Sequence, residues 1–167
     1  LMVSSGIGLG YYHACHILES KKVQCFGTAD PRNRPPGDAA AGPVSQIFCA
    51  HNGCCALLPQ GNKRLSCWSH KATFYPPATG IDPLHFGIGY DHGCAINQDH
   101  GVRCWGQGRG PQTQAPEGMK ARSLAVASFF NCAVLMDDSV QCWGIKAPTP
   151  PPGLKARLVA AIYHGNL

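Results

Sequence analysis

Eight cysteines fall in four hairpin-like pairs, at positions 15 and 25, 55 and 67, 94 and 104, and 132 and 142. Each pair flanks a polar turn. The clearest copy is Gly93-Cys94-Ala95-Ile96-Asn97-Gln98-Asp99-His100-Gly101-Val102-Arg103-Cys104-Trp105-Gly106. With Asp99 at the centre of the turn, Cys94 faces Cys104 and Ile96 faces Val102. Period-two alternation then places Ala95, Arg103 and Trp105 nearer the opposite face. This predicts a β-hairpin closed by a three-residue turn that contains glycine.

The first cysteine of each pair recurs at 15, 55, 94 and 132, in steps of 40, 39 and 38. A repeat of that length dictates architecture before any local propensity does. Apolar runs precede the hairpins at Val44–Phe48, Leu84–Ile88 and Leu124–Ala127, and Leu158–Tyr163 opens a fifth repeat. One repeat is therefore about three short strands and a Pro/Gly-rich link. A sheet that small cannot bury both faces alone. Stacking around an axis gives a β-propeller, and stacking along a line gives a solenoid. Repeats near 40 residues favour the propeller. The expected fold is all-β: a partial propeller of three- to four-stranded antiparallel blades. The blades are expected at residues 1–36, 37–77, 78–116 and 117–152, with the start of a fifth at 153–167.

The pattern Cys-Ala-Leu … Gly-x-Val-x-Cys-Trp-Gly, with Pro-Gly links, resembles the cysteine-bearing branch of the regulator-of-chromosome-condensation repeats. The resemblance covers nearly the whole chain and implies a seven-bladed propeller. It says little about function, because that propeller hosts unrelated activities. Two features depart from the family. Four repeats and the start of a fifth are present, where seven need roughly 270–280 residues. The family's glycine-rich insertion is reduced to Trp105-Gly106-Gln107-Gly108-Arg109-Gly110.

Ten cysteines in 167 residues are many. Opposed strand positions bring Cβ atoms within bridging distance, so the expected disulfides are Cys15 with Cys25, Cys55 with Cys67, Cys94 with Cys104, and Cys132 with Cys142. Each closes a loop worth about 3 kcal/mol in the chain-entropy model. Such staples suit an oxidising compartment. Zinc is the rival reading, but zinc sites favour close pairs such as Cys-x-x-Cys, and a nine-residue spacer recurs here instead. Cys49 and Cys54 are left over and pair with each other or with a segment beyond this chain. Which of Cys54 and Cys55 meets Cys67 is open; Cys55 keeps Ala56-Leu57-Leu58 aligned with the other repeats.

Candidate chemistry is sparse. His13, His51, His92 and His164 each stand just before a first cysteine or its expected place, so a rim ring of imidazoles is one conceivable ligand site. The alternative is that they hold strand corners. Trp68, Trp105 and Trp143 read as wedges between blades. Asp99, Asp137 and Asp138 sit in turns for conformational reasons. No acid/base pair, triad or phosphate loop stands out, so no enzyme, cofactor or metal is expected. A net charge of +5 without a dense basic face argues against nucleic acid. The longest apolar run is six residues, far short of a membrane span. Absence of an initiator methionine or leader suggests a processed chain or one cut from a longer one. The Pro-rich links at 75–80, 111–118 and 147–153 fall where an outer strand would lie, and proline confines such a strand to an edge. The longer turn Pro59–Arg64 is expected to project into solvent.

The expected role is a secreted binding or scaffolding module that recognises a protein or glycan through rim loops, similar to the propellers of plant Crinkly-type receptor kinases. The alternative is a subunit of an extracellular coat or filament, in which copies of the chain pair through open blade edges. A nucleotide-exchange or chromatin-binding propeller, as the founding family member implies, is the weaker alternative. A carbohydrate-binding propeller or hydrolase is a further one.

Overall fold

The structure, a computed structural model, describes residues 6–10, 13–27, 35, 37, 42–50, 53–59, 64–69, 81–106 and 110–161. Twelve strands form four antiparallel three-stranded meanders. The first sheet holds β1 (Ile7–Leu9), β2 (His13–Ile17) and β3 (Val23–Gly27). The second holds β4 (Gln46–Ala50), β5 (Gly53–Leu57) and β6 (Leu65–Ser69). The third holds β7 (Pro83–Ile88), β8 (His92–Asn97) and β9 (Val102–Gly106). The fourth holds β10 (Ala121–Val126), β11 (Phe130–Leu135) and β12 (Val140–Gly144). These are the blades of a β-propeller, and they fall into two compact units, Leu1–Ala78 and Thr79–Leu167.

Within the second unit, Cys94, Ile96 and Val102 of the third blade share one core with Ala121, Leu124, Ala133 and Trp143 of the fourth. Within the first, Cys15 and Val23 share a core with Ile47, Cys54, Ala56 and Trp68. The wedge expected of the tryptophans is thus present in both units: the Trp of the later blade packs on the cysteine face of the earlier one. Middle strands β5 and β8 are buried along almost their whole length. Edge strand β9 still exposes Arg103.

The turn differs from expectation in one respect: its three residues are Gln98, Asp99 and His100, with Gly101 just outside, and His100 carries the left-handed backbone, at φ 65°. Lys21 and Asp138 hold the same turn position, at φ 62° and 73°. Asn97 N donates to Gly101 O, and His100 N donates to Asn97 O. The other two turns repeat these bonds through Leu18 and Leu135. This is the three-residue hairpin loop ending in one left-handed residue. Asp99 Oδ1 accepts Gly101 N at 2.9 Å, and Asp137 Oδ1 accepts Ser139 N at 3.0 Å, so each aspartate braces its turn.

The links contribute no further strand among the described residues. After β9 the chain makes a 3₁₀ turn at Pro111–Thr113, opened by its proline. Links 28–34 and 70–80, and the turn tip 60–63, lie outside the described residues.

Candidate functional site

The described part of the chain concentrates its polar chemistry where one blade meets the next. The register settles the sulfur pairing first. Cys15 opposes Cys25, Cys55 opposes Cys67, Cys94 opposes Cys104 and Cys132 opposes Cys142, and each pair is bonded. Cys49 opposes Cys54 across the β4–β5 hairpin and bonds to it, so no cysteine is free.

The left-handed turn residue does a second job. Its carbonyl accepts a hydrogen bond from the chain that follows the blade: Lys21 O from Val44 N, His100 O from Ala121 N, and Asp138 O from Ala156 N. Two of these junctions add a lysine. Lys120 Nζ donates to Asp99 O at 2.6 Å and to Asp99 Oδ2 at 2.8 Å. Lys155 Nζ donates to Asp137 O at 2.8 Å. Lys120 and Gly101 hold the Asp99 carboxyl below the usual carboxylate range; Ser139, then Lys155, do the same for Asp137. Arg122, two residues after Lys120, is also engaged: it pairs with Asp138 and donates to Ala156 O.

The histidines separate into two groups. His13 and His92 stand two residues before their cysteines, opposite Gly27 and Gly106. Gly53 and Phe130 fill that position in the second and fourth blades. His51 precedes its cysteine by four residues, so it is not their equivalent; it and His164 lie outside the described residues. His13 and His92 are buried, and each reaches into the following blade rather than out to a rim. His92 Nε2 meets Asn131 Oδ1 at 2.8 Å, and His13 Nε2 meets Cys54 Sγ at 3.2 Å. Asn131 and Cys54 are themselves equivalent, one residue before Cys132 and Cys55. The repeat thus places an imidazole clasp across the blade junction.

The clasp in the second unit is part of a buried polar node. Asn131 Nδ2 donates to Gln112 O at 2.9 Å, tying the 3₁₀ link to β11. With Nε2–H donated to Asn131, His92 Nδ1 is bare and lies 3.7 Å from Asp91 Oδ1. Neither atom has a hydrogen-bond partner among the described residues. Burial pushes the His92 imidazole below its ordinary value; Asn131 and Asp91 oppose that push without reversing it. Burial also lowers His85, whose Nε2 meets Leu124 O in the next blade.

The first unit carries the other cluster. His13, Cys49 and Cys54 offer ligand atoms within 4.8 Å of one another. As a bonded pair, Cys49 and Cys54 present a disulfide and not two thiolates, so this trio is a metal site only after reduction. Sequence reasoning could not place His13 here, because the partner lies 41 residues away in another repeat. An apolar cavity of about 380 Å³ opens beside β11, lined in part by Phe129, Phe130, Ile145, Pro148, Ala160 and Ala161.

No family model matches the chain, and no curated protein matches it. Solved structures do. The Crinkly ectodomain of the Arabidopsis thaliana receptor kinase ACR4 is similar at TM-score 0.69 and 27% identity, over 87% of this chain and 51% of that one. The ectodomain of the Physcomitrella patens receptor kinase CR4 is similar at TM-score 0.71 and 23% identity, over 90% and 47%. Yeast RCC1 is similar at TM-score 0.60 and 16% identity, over 83% and 43%. These likenesses are to propellers, with RCC1-like ones among them. The chain spans about half the length of the structures it matches.

Proposed function

We propose that this chain is part of an extracellular propeller of the cysteine-bearing chromosome-condensation-regulator type, acting in binding or scaffolding and not in catalysis. The observation that carries the reading is that five disulfides consume all ten cysteines. A cytosolic or nuclear protein would not keep them. The 27% identity to a receptor ectodomain supports the same compartment. The ligand is a protein or a glycan engaged by the loops at the blade ends, where the hairpin tips around Asp99 and Asp137 are exposed. The test is to alkylate the native protein under non-reducing conditions and map it by mass. No alkylated cysteine is expected, and the protein is expected to retain a member of a panel of extracellular proteins and oligosaccharides. Free thiols at Cys94 and Cys104 would overturn the reading and restore the nuclear one.

A second reading is assembly with copies of itself through open edges. It is favoured by the apolar cavity beside β11 and by exposed Ile7, Leu9, Phe26 and Leu158. Sedimentation separates the two, since a monomer at micromolar concentration excludes assembly.

A further inference from the structure

Two disulfides touch in the first unit. Cys15 Sγ, bonded to Cys25, lies 3.5 Å from Cys54 Sγ, bonded to Cys49. The inner sulfurs, Cys15 and Cys54, belong to fully buried residues, whereas Cys25 and Cys49 belong to partly exposed ones. Gly8 makes this nesting possible: a Cβ there would sit 2.9 Å from both Cys49 N and Cys49 Sγ. The third member is His13, whose Nε2 is 3.2 Å from Cys54 Sγ.

The two imidazole clasps show why this matters. In the second unit the histidine meets an amide oxygen, a good acceptor. In the first unit it meets a sulfur. A bonded sulfur accepts weakly, but a thiolate accepts strongly. The His13 N–H therefore gains most once the Cys49–Cys54 bond has opened. That bond also closes the shortest loop of the five, with a sequence separation of 5, so its loss releases the least chain entropy.

We propose that Cys49–Cys54 is a thiol–disulfide exchange site that passes its bond to Cys15 and so staples the first blade to the second. An external thiolate attacks Cys49 Sγ, the sulfur of the partly exposed residue of the pair. The Cys49–Cys54 bond breaks, a mixed disulfide forms at Cys49, and the electron pair leaves on Cys54 Sγ, where His13 Nε2–H stabilises it. The Cys54 thiolate then attacks Cys15 Sγ. A Cys15–Cys54 bond forms, the Cys15–Cys25 bond breaks, and Cys25 leaves as a thiolate that takes a proton from water. Two S–S bonds break and two form, with no net oxidation. The proton lost by the external thiol ends on Cys25. The new bond joins β2 to β5.

The experiment uses the full oxidised chain with glutathione as the probe, followed by acid quenching, alkylation and non-reducing peptide mapping. Expected products are glutathione on Cys49, an alkylated Cys25 and a peptide linked through Cys15 and Cys54, with Cys94–Cys104 intact. Cys49→Ser supplies the second arm, since it leaves Cys54 as a thiol with no external reagent. Cys15–Cys54 and a free Cys25 are expected in that variant as purified. His13→Ala is expected to slow release of Cys25 about tenfold, as the loss of a hydrogen bond to a charged group implies, with no change in the rate at which Cys94–Cys104 is reduced in the same molecule. The proposal is overturned if glutathione reaches Cys94–Cys104 as fast as Cys49, or if Cys49 is modified while Cys25 stays bonded. It is also overturned if Cys49→Ser folds with native strand content yet keeps Cys15–Cys25 and a free Cys54.

Discussion

His92 Nε2 and Asn131 Oδ1 lie 2.8 Å apart across a blade junction, 39 residues apart in sequence, with both residues fully buried. The bond spans the 38-residue step from Cys94 to Cys132 plus one residue. It converts a periodic sequence into a junction, because His92 stands two residues before Cys94 and its acceptor one residue before Cys132 in the next blade. Asn131→Leu removes the acceptor and also the donor to Gln112 O, leaving two buried polar groups unpaired. Each such group costs about 1–3 kcal/mol, so a loss of stability of about 2 kcal/mol or more is expected. Chemical unfolding of His92→Leu, Asn131→Leu and the double variant checks it. The double variant is expected to lose less than the sum of the singles.

The pH dependence follows from the same residue. Burial lowers the folded-state value of His92, and of His85, below the ordinary 6.5. Between that folded value and 6.5 the unfolded chain binds more protons, so stability rises with pH there. The contribution is fully present above about pH 6.5 and is lost as pH falls from there through the folded value. Unfolding free energy measured between pH 7.5 and 5 is expected to decline, and His92→Gln is expected to flatten the decline.

Most of the architecture could be read from the chain. The 38–40-residue step of cysteines implied blades, and the Cys94/Cys104 and Ile96/Val102 pairings appear in the β8–β9 register. Those are local, period-two facts. The turn was less legible: Gly101 advertises backbone freedom, yet His100 adopts the left-handed conformation, because the hairpin fixes which position must do so whatever residue occupies it. The clasp was illegible. Counting back from each cysteine grouped His51 with His13 and His92, although it stands two positions off, and no pattern within one repeat announces that Cys54 and Asn131 are the partners. The contact exists only after two repeats are packed.

The turn position gives a prediction opposite in sign to most substitutions. Lys21 is exposed and holds φ 62°, a conformation that costs an L-residue roughly 1–2 kcal/mol and glycine nothing. Its carbonyl bond from Val44 N uses only backbone, so it survives replacement. Lys21→Gly is expected to raise stability by up to about 1 kcal/mol, since part of the gain is lost to the greater freedom of glycine in the unfolded chain. Lys21→Val is expected to lower it, because β-branched residues tolerate positive φ worst. Thermal unfolding of the two variants decides the sign.

Lys120 and Asp99 give a prediction that isolates electrostatics from packing. Both side chains are largely exposed, so the pair adds little to stability, but the ammonium and the Gly101 N–H hold the carboxyl below its ordinary value. Lys120→Ala is expected to move the Asp99 titration midpoint upward in carboxyl carbon NMR, and added salt is expected to move it in the same direction in the unaltered protein. Asp137, held first by Ser139, is expected to respond less to Lys155→Ala.

Gly93 tests the packing of Trp105 within its own blade. It lies opposite Trp105 in the β8–β9 ladder, and a Cβ on it would fall 2.4 Å from the indole ring. Its backbone is ordinary strand, so the requirement for glycine comes from Trp105 and not from conformation. Trp105 is itself buried, so the ring has little room to withdraw. Gly93→Ala is therefore expected to destabilise by about 1–3 kcal/mol, the usual cost of overfilling a packed site. Pairing it with Trp105→Leu is expected to recover part of that loss, because the smaller side chain vacates the space the new methyl needs. Equilibrium unfolding of the single and double variants measures the recovery. Equal losses with and without the ring would mean that something other than the indole excludes a side chain at position 93.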